Sequence, residues 1–221
     1  MCHSRRTTPV APRCPNRCVQ ARHLPVDATR TYWNFTGAPL NLTTVVREIP
    51  RTTHPPAIPL TMIREVTDSD TAAICAIYNP YITGTTITFE EEIVPVEVMK
   101  GRIAEITKTH PWIVSEIDGR VVGYAYGAPW KTRTAYRHSA ESTVYLDSSY
   151  CQRGLGTALY RELIERLRKA RVHRLMGGIA LPNEASVTLH ERLGFKKVAH
   201  FDEVGWKFGQ WIDVAYWQLD L

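Results

Sequence analysis

The chain has 221 residues, 44% hydrophobic and 22% charged, which is enough for one domain with a hydrophobic core. Its formal net charge is +5, but much of the excess lies in the arginine-rich front of the chain, and no basic helix face with interleaved aromatics follows. Composition therefore argues against a nucleic-acid partner, and the lack of a long apolar run argues against a membrane span, so we expect a cytoplasmic protein.

Residues 1–61 differ from the rest of the chain. They contain nine prolines and show no sustained period of either two or 3.6 residues. Such a segment cannot bury enough apolar surface to offset its ordering entropy, so the sequence predicts a disordered leader. Met62 directly precedes the first regular pattern and is a candidate for the natural start.

The five cysteines are an odd number, which argues against a disulfide framework. Cys14 and Cys18, with His3 and His23 nearby, could suggest zinc. No second half-site follows them, and a chance cluster in the leader is the simpler explanation. We predict no metal.

From Met62 onward, capping and turn residues mark where the helices and strands begin and end. Asp68 or Ser69 is expected to cap the first helix, Asp118-Gly119 to form a hairpin turn and Gly194 to end the last helix. The expected strands are 63–66, 112–116, 121–127, 139–146, 174–180, 196–201 and 212–219, and the expected helices are 68–81, 95–108, one beginning near 155, and 183–193. The order β-α-α-β-β-β-α-β-α-β-β predicts an α/β fold, with helices on both faces of a mixed, mostly antiparallel sheet.

The central stretch runs from strand 139–146 through the loop Gln152-Arg-Gly-Leu-Gly-Thr157 into a helix. The first N–H groups of that helix have no partner within it, and the glycines let an anion approach the backbone closely. Upstream, Glu141 lies in a strand of otherwise small and apolar residues. A phosphate cradle close to a strand carboxylate is a plausible reaction centre.

This order of elements and motifs resembles the GNAT N-acetyltransferase superfamily over residues 62–221, and most closely its phosphinothricin and methionine sulfoximine N-acetyltransferases. The residues that carry the resemblance are the 152–157 loop, Ile77-Tyr-Asn79, Thr85-Thr86, Tyr124-Ala-Tyr-Gly127, Glu141-Ser-Thr-Val-Tyr145, Leu189-His-Glu191, Leu193-Gly-Phe195, Gly205-Trp-Lys-Phe-Gly209 and Trp211-Ile-Asp213. The chain departs from the family signature at Cys151, which stands where a Gln or Arg is usual, and we assign that side chain no role.

The resemblance implies transfer of acetyl from acetyl-CoA to a primary amine. A protonated amine cannot attack the thioester, so a base must first take its proton. Glu141 is the candidate base and shares a strand face with Thr143 and Tyr145. Partial burial would raise its pKa toward the working pH. The alternative is a solvated strand carboxylate paired with Lys or Arg.

His190 occupies the position where many superfamily members carry a tyrosine that protonates the leaving thiolate. It is the second catalytic candidate. A helix histidine with satisfied hydrogen bonds, or one that positions the acceptor, are the alternatives.

The resemblance also implies the binding residues. Backbone groups of Val144, Tyr145 and Leu146 should hold the pantetheine arm. Gln152, Arg153, Gly154, Leu155, Gly156 and Thr157 should hold the pyrophosphate, and Asn183, also a good N-cap, and Arg192 should contact the distal arm. Lys131, Thr132 and Arg133, with Glu141, Ser142 and Thr143, are expected at the acceptor, although a solvated basic loop explains 131–133 equally well. Tyr78, Thr85 and Phe89 are either pocket walls or core.

We therefore expect direct acetyl transfer to the α-amine of a small glutamate-analogue amino acid, without a covalent enzyme intermediate. Acetylation of another small amine, or a catalytically silent CoA-binding module, are the alternatives. The family tends toward homodimers, and Trp211, Tyr216 and Trp217 of the last strand are a candidate surface.

Overall fold

The computed structural model describes residues 61–151 and 154–221. Seven strands and four α-helices follow one another in these ranges. They are β1 Thr61–Glu65, α1 Thr71–Gly84, α2 Val96–Ile106, β2 Trp112–Ile117, β3 Arg120–Pro129, β4 Ser139–Leu146, α3 Leu155–Lys169, β5 Arg174–Leu181, α4 Glu184–Arg192, β6 Lys196–Lys207 and β7 Gln210–Asp220. The expected order of elements is confirmed. The interpretation of residues 1–60, including the zinc alternative, lies outside the described residues.

The strands form one sheet in the order β1-β2-β3-β4-β5-β7-β6. Every neighbouring pair is antiparallel except β4 and β5, which are parallel. The single parallel pair needs a crossover connection, and α3 supplies it. The sheet is mixed and mostly antiparallel, as the element order predicts.

Alternation along the strands places a separate core on each face of the sheet. On β2, Trp112 and Val114 join the core that α1 and α2 cover, whereas Ile113 joins the core that α3 covers. Leu159 and Leu163 of α3 are fully buried in the second core. Among the helices within 61–151 and 154–221, none has the length and apolar character needed to cross a membrane.

The start and end predicted for the first helix are wrong. Thr67, not Asp68 or Ser69, caps a short 3-10 turn at Asp68–Asp70, and the carboxylate of Asp70 accepts from the Thr67 N–H at 2.7 Å. The helix α1 begins only at Thr71. It continues past Tyr81 to Gly84, and the Thr85 hydroxyl then donates to the Tyr81 carbonyl at 2.7 Å.

Both turn predictions are confirmed by the backbone. Asp118 and Gly119 have φ values of 50° and 79°, which a tight two-residue hairpin requires, and Gly194 ends α4 with φ of 91°. The final hairpin is longer than predicted, because Phe208 and Gly209 make a second such turn with φ of 49° and 74°.

Candidate active site

The sheet opens between β4 and β5. These strands pair only at Ser139–Glu141 with Arg174–Met176, although each continues beyond. The strands separate after Glu141 and Met176, and we call this point the fork. Beyond the fork, β4 stays paired with β3 on its other edge, and β5 stays paired with β7. The facing edges of 142–146 and 177–181 therefore present backbone groups to a gap, as an open strand edge does for an extended ligand.

A cavity of about 810 Å³ occupies this gap, within the usual size of small-molecule sites. Most of the residues expected to bind the cofactor line it. They are 144–146 from β4, Gly154, Gly156 and Thr157 at the start of α3, and Asn183 and Arg192 of the α4 region. Leu155 is 8% exposed and does not line the cavity. Gln152 and Arg153 lie outside the described residues.

The start of α3 has the geometry of an anion site. Gly154 is the N-cap and has φ of 78°, a left-handed conformation that favours glycine. The N–H groups of the following turn have no acceptor within the helix, and the helix dipole favours negative charge at this end. A Cβ at position 156 would lie 3.4 Å from Leu146, so the glycine lets α3 begin close to β4. These features fit a pyrophosphate group.

Glu141 is the last residue of β4 that pairs with β5, and its carboxylate lies beside Gly178 across the fork. A Cβ at position 178 would be only 2.9 Å from Glu141 Oε1, so the close approach requires the glycine. Burial raises the pKa of Glu141, while Lys131 and a hydrogen bond from Tyr216 partly oppose that rise. Glu141 does not itself line the cavity, but Gly178 does. A carboxylate with a raised pKa at the apex of the fork, where β4 and β5 separate, suits a general base.

Ser142, Tyr160 and His190 form a buried chain on the opposite face of β4. The Tyr160 hydroxyl lies 3.0 Å from His190 Nε2 and also contacts the Ser142 hydroxyl. His190 Nδ1 lies 2.8 Å from the Ser186 carbonyl, and the Ser142 hydroxyl is 3.0 Å from the Met176 carbonyl. Two members of this group were predicted as site residues from the sequence, Ser142 at the acceptor and His190 as a catalytic candidate. Tyr160 was missed, because its spacing in α3 is that of an ordinary core residue.

Burial sets the protonation of this chain. It lowers the pKa of His190, so the imidazole is neutral near pH 7, and it raises the pKa of Tyr160 well above its usual range. The Ser186 carbonyl can only accept, so the proton of a neutral His190 stands on Nδ1. Its Nε2 is then an acceptor and cannot donate a proton to a leaving group directly.

The other face of β4 carries an aromatic and polar cluster. Tyr145 packs against Tyr78 and Tyr81 with ring centroids 4.9 and 5.0 Å apart. The Tyr126 hydroxyl is hydrogen-bonded to Thr143. The face that alternation predicts for Glu141, Thr143 and Tyr145 is therefore the one that α1 covers.

Tyr78, Thr85 and Phe89, the residues considered as pocket walls, have different surroundings in the structure. Tyr78 is buried, and its hydroxyl lies 2.7 Å from that of Thr88. Thr85 caps α1, as described above. Phe89 is 40% exposed and lies over Gly205, where a Cβ would be 2.3 Å from its ring. The buried ammonium of Lys207 donates to the Thr88 carbonyl at 2.7 Å, so the loop after α1 is attached to the β6–β7 hairpin.

The basic loop 131–133 is exposed. Lys131 is close enough to Glu141 to lower its pKa, and its ammonium lies 5.2 Å from the centroid of the Trp130 ring. Thr132 and Arg133 are solvent-exposed beside it. A cation next to the carboxylate is thus present, and Lys131 is its source.

Cys151 lines the cavity, and its Sγ lies 3.7 Å from the Asp147 carbonyl. Burial raises the pKa of its thiol, so the reactive thiolate is disfavoured. Within the described ranges, His200, Asp202 and Asp213 could converge on a cation. However, Asp213 already accepts from His200 at 2.9 Å, and the Lys197 ammonium lies 3.0 Å from His200.

Comparisons with known proteins give four similarities: one to a family, two to individual proteins and one to a solved structure. The profile of the acetyltransferase (GNAT) domain family matches residues 63–216. The chain is 38% identical over 158 residues to a phosphinothricin N-acetyltransferase of Streptomyces viridochromogenes, covering 72% of this chain and 86% of that protein. It is 34% identical over 163 residues to an L-methionine sulfoximine/L-methionine sulfone acetyltransferase of Salmonella typhimurium, covering 72% and 94%. A GNAT phosphinothricin acetyltransferase from Sinorhizobium meliloti, solved in complex with AcCoA, matches with a TM-score of 0.71 and 31% identity, covering 73% and 88%.

Proposed function

Because the chain belongs to the GNAT acetyltransferase family and is an N-acetyltransferase, we propose that it moves acetyl from acetyl-CoA to the α-amine of small amino acids of the phosphinothricin and methionine sulfoximine type. The observation that carries the proposal is the fork between β4 and β5, with Glu141 at its apex and an anion site at its open end. The two ends match the two halves of the reaction, proton removal and thioester binding.

The acetyl donor fits the cavity as an extended chain. Backbone groups of 144–146 would bind the pantetheine arm, and the glycine-bearing start of α3 would hold the pyrophosphate. Asn183 and Arg192 lie along the same cavity and would contact the remainder of CoA. Bound in this way, the thioester points toward the fork.

Glu141 would act as the general base. Burial raises the pKa of the Glu141 carboxyl toward the working pH. The ionised carboxylate then takes one proton from the incoming ammonium. The free amine then attacks the thioester directly. A covalent acetyl-enzyme is disfavoured, since burial and the nearby Asp147 carboxylate both raise the pKa of the Cys151 thiol.

Acceptor selectivity would come from charge beside Glu141. The amino acids named for the relatives carry an α-carboxylate, and a cation is the group that recognises it. Lys131 lies closest, and Thr132, Arg133 and Thr143 complete the proposed acceptor site.

A homodimer is part of the proposal, with a corrected surface. Trp217 is 3% exposed and therefore is not available to a partner, whereas Tyr216 is partly exposed and is hydrogen-bonded to Glu141. Trp211 is 59% exposed, and the edge strand β6 adds exposed apolar side chains such as Val204 and Trp206. Such an edge is a common place for two chains to meet. Light scattering on wild type and on Trp206→Lys tests it, because a dimer through this edge should become a monomer in the variant.

The test of the function is thiol release from acetyl-CoA against a panel of acceptors. The panel contains phosphinothricin, methionine sulfoximine, methionine sulfone, common amino acids and polyamines. We expect turnover on the first three compounds. Activity confined to amines without an α-carboxylate would contradict the acceptor class, and an absence of turnover with intact CoA binding would favour the silent module.

A further inference from the structure

The buried chain on the α3 face of β4 has more hydrogen-bond links than protons. Its four links join the Ser186 carbonyl to His190, His190 to Tyr160, Tyr160 to Ser142, and Ser142 to the Met176 carbonyl. Both terminal carbonyls accept only, so each link must take its proton from the three side chains between them. Neutral His190, Tyr160 and Ser142 bring one proton each. One link therefore stays unfilled until the chain takes up a fourth proton.

With the His190 proton on Nδ1, the unfilled link lies among the other three. If Ser142 donates to the Met176 carbonyl and Tyr160 donates to Nε2, the link between Ser142 and Tyr160 is the unfilled one. If instead Tyr160 donates to Nε2 and Ser142 donates to Tyr160, the link from Ser142 to the Met176 carbonyl is the unfilled one. A proton that enters at the Ser142 oxygen fills it, once each hydroxyl has passed its own proton along and His190 has become an imidazolium.

The open end of the chain reaches the place where acetyl transfer would occur. Ser142 follows Glu141 directly on β4, and its hydroxyl oxygen lies 3.0 Å from the carbonyl oxygen of Met176, the β5 residue at which the strands separate. Ser142, Tyr160 and His190 all line the cavity, and their exposures are only 8%, 0% and 4%. A proton on this chain is therefore shielded from bulk water and open only to the cavity.

We propose that Ser142, Tyr160 and His190 form a proton shuttle that carries one proton from the attacking nitrogen to the leaving sulfur. The proposal rests on the acetyl transfer proposed above. Ser142 would touch the reacting atoms. Tyr160 and His190 would act through it, as positioning residues that hold the proton in transit.

The chemistry balances. Attack of the free amine gives a tetrahedral adduct in which nitrogen and sulfur are bonded to the same carbon, so one oxygen can serve both. The nitrogen loses one proton to the Ser142 oxygen, and His190 gains one at Nε2 through Tyr160. When the C–S bond breaks, its electron pair stays on sulfur, and Ser142 returns the proton to give the CoA thiol. The chain ends in its starting state, and Glu141 keeps the first proton, taken from the ammonium.

The surroundings of His190 favour the neutral resting state that the shuttle needs. Tyr160 faces it from α3 and the Ser186 carbonyl faces it from its own helix. Gly177 of β5 lies so close that a Cβ there would be 2.3 Å from Nε2, and the Phe195 ring packs edge-on with a centroid distance of 4.9 Å. Glu141 is the charged group that acts on Tyr160.

The pH dependence follows with a definite sign. Transfer requires Glu141 ionised and His190 neutral, so the rate is lost as pH falls through both pKa values. Burial raises the pKa of Glu141 and lowers that of His190, so the two pKa values lie closer together and both protonations reduce the rate over a similar pH range. The acid limb of the single-turnover rate should therefore have a slope of about two protons in wild type.

The experiment compares wild type with Tyr160→Phe and Ser142→Ala in single-turnover acetyl transfer across pH. Each variant should lose about 10- to 100-fold in rate with unchanged acetyl-CoA affinity, and its acid limb should fall to a slope of about one. Tyr124→Phe is the matched control, since it removes a buried tyrosine hydroxyl from the other core, and its limb should keep the wild-type slope. Wild-type slope and rate in both shuttle variants would overturn the proposal.

A second measurement does not depend on the acceptor. Nitrogen NMR of wild type should show neutral His190 protonated at Nδ1. In Tyr160→Phe the pKa of His190 should fall further, because the imidazolium loses its acceptor at Nε2. A proton on Nε2, or an unchanged pKa in the variant, would refute the shuttle even if the acceptor class were wrong. Inactivity of wild type on the whole panel, with the NMR result as expected, would instead refute only the proposed function.

Discussion

Strand β5 has two very different neighbours. It pairs with β7 along its whole length, Arg174–Leu181 against Asp213–Asp220, but with β4 over only three residue pairs. The β7 side is continuous sheet, and the β4 side is a fork around a cavity. The same strand thus completes the sheet on one edge and borders the proposed active site on the other. What distinguishes the edges is where pairing stops, since unpaired backbone and buried side chains become available to a ligand only past the fork.

The largest effect should come from the apex of the fork. Glu141→Gln keeps the shape of the side chain but removes the proposed base, so kcat should fall by about 10²- to 10⁴-fold. Acetyl-CoA affinity should not change, as calorimetry can verify. Glu165→Gln, which removes an exposed carboxylate on α3, is the control and should keep wild-type turnover. Full turnover in Glu141→Gln would remove the base assignment.

The next effect concerns the first residue of β5 beyond the fork. In Gly177→Ala the new Cβ would lie 2.3 Å from His190 Nε2, so the buried ring must shift. Overpacking of this kind costs about 1–3 kcal/mol of unfolding free energy, measurable by urea denaturation. Gly101→Ala is the matched control, because nothing lies within 4 Å of a Cβ there. That helix substitution should stabilise by up to about 1 kcal/mol.

A smaller effect links the continuous edge of β5 to the fork. Tyr216 of β7 donates a hydrogen bond that favours the ionised form of Glu141. In Tyr216→Phe the pKa of Glu141 should rise further, so a smaller fraction is ionised at a given pH. The acid limb of kcat should therefore move to higher pH, while turnover on the alkaline side of the limb is retained. A limb that stays in place or moves to lower pH would mean that β7 does not tune the base.

The smallest effect lies just beyond the end of β5. The Asn183 side chain accepts from the Ser186 N–H at 3.1 Å and caps α4. Asn183→Ala should cost about 1 kcal/mol of unfolding free energy. Asn183→Asp keeps the cap and should restore stability. If Asn183 also contacts CoA, the Ala variant will bind acetyl-CoA more weakly in a titration. An unchanged affinity would mean that Asn183 acts only as the helix cap.

Local signals predicted much of the fold and of the candidate site. Alternation correctly put Glu141 and Ser142 on opposite faces of β4, and the glycines at 154 and 156 marked the start of α3. The predicted cap of the first helix was wrong. The Asp70 carboxylate is held by Arg64 of β1, which donates to it at 2.7 and 2.8 Å. A contact of that kind leaves no trace in local spacing.

The sequence by itself determined the order of elements and the family, and it supplied Glu141 as the proposed base, because periodicity, caps, turns and motif residues are local properties of the chain. Tertiary structure decided where β4 and β5 part, which brings Gly178 and Tyr216 to Glu141. It also joined Ser142, Tyr160 and His190 into one chain. Those residues come from three elements far apart in sequence, and only packing across the sheet brings their hydroxyl and imidazole groups within hydrogen-bond distance.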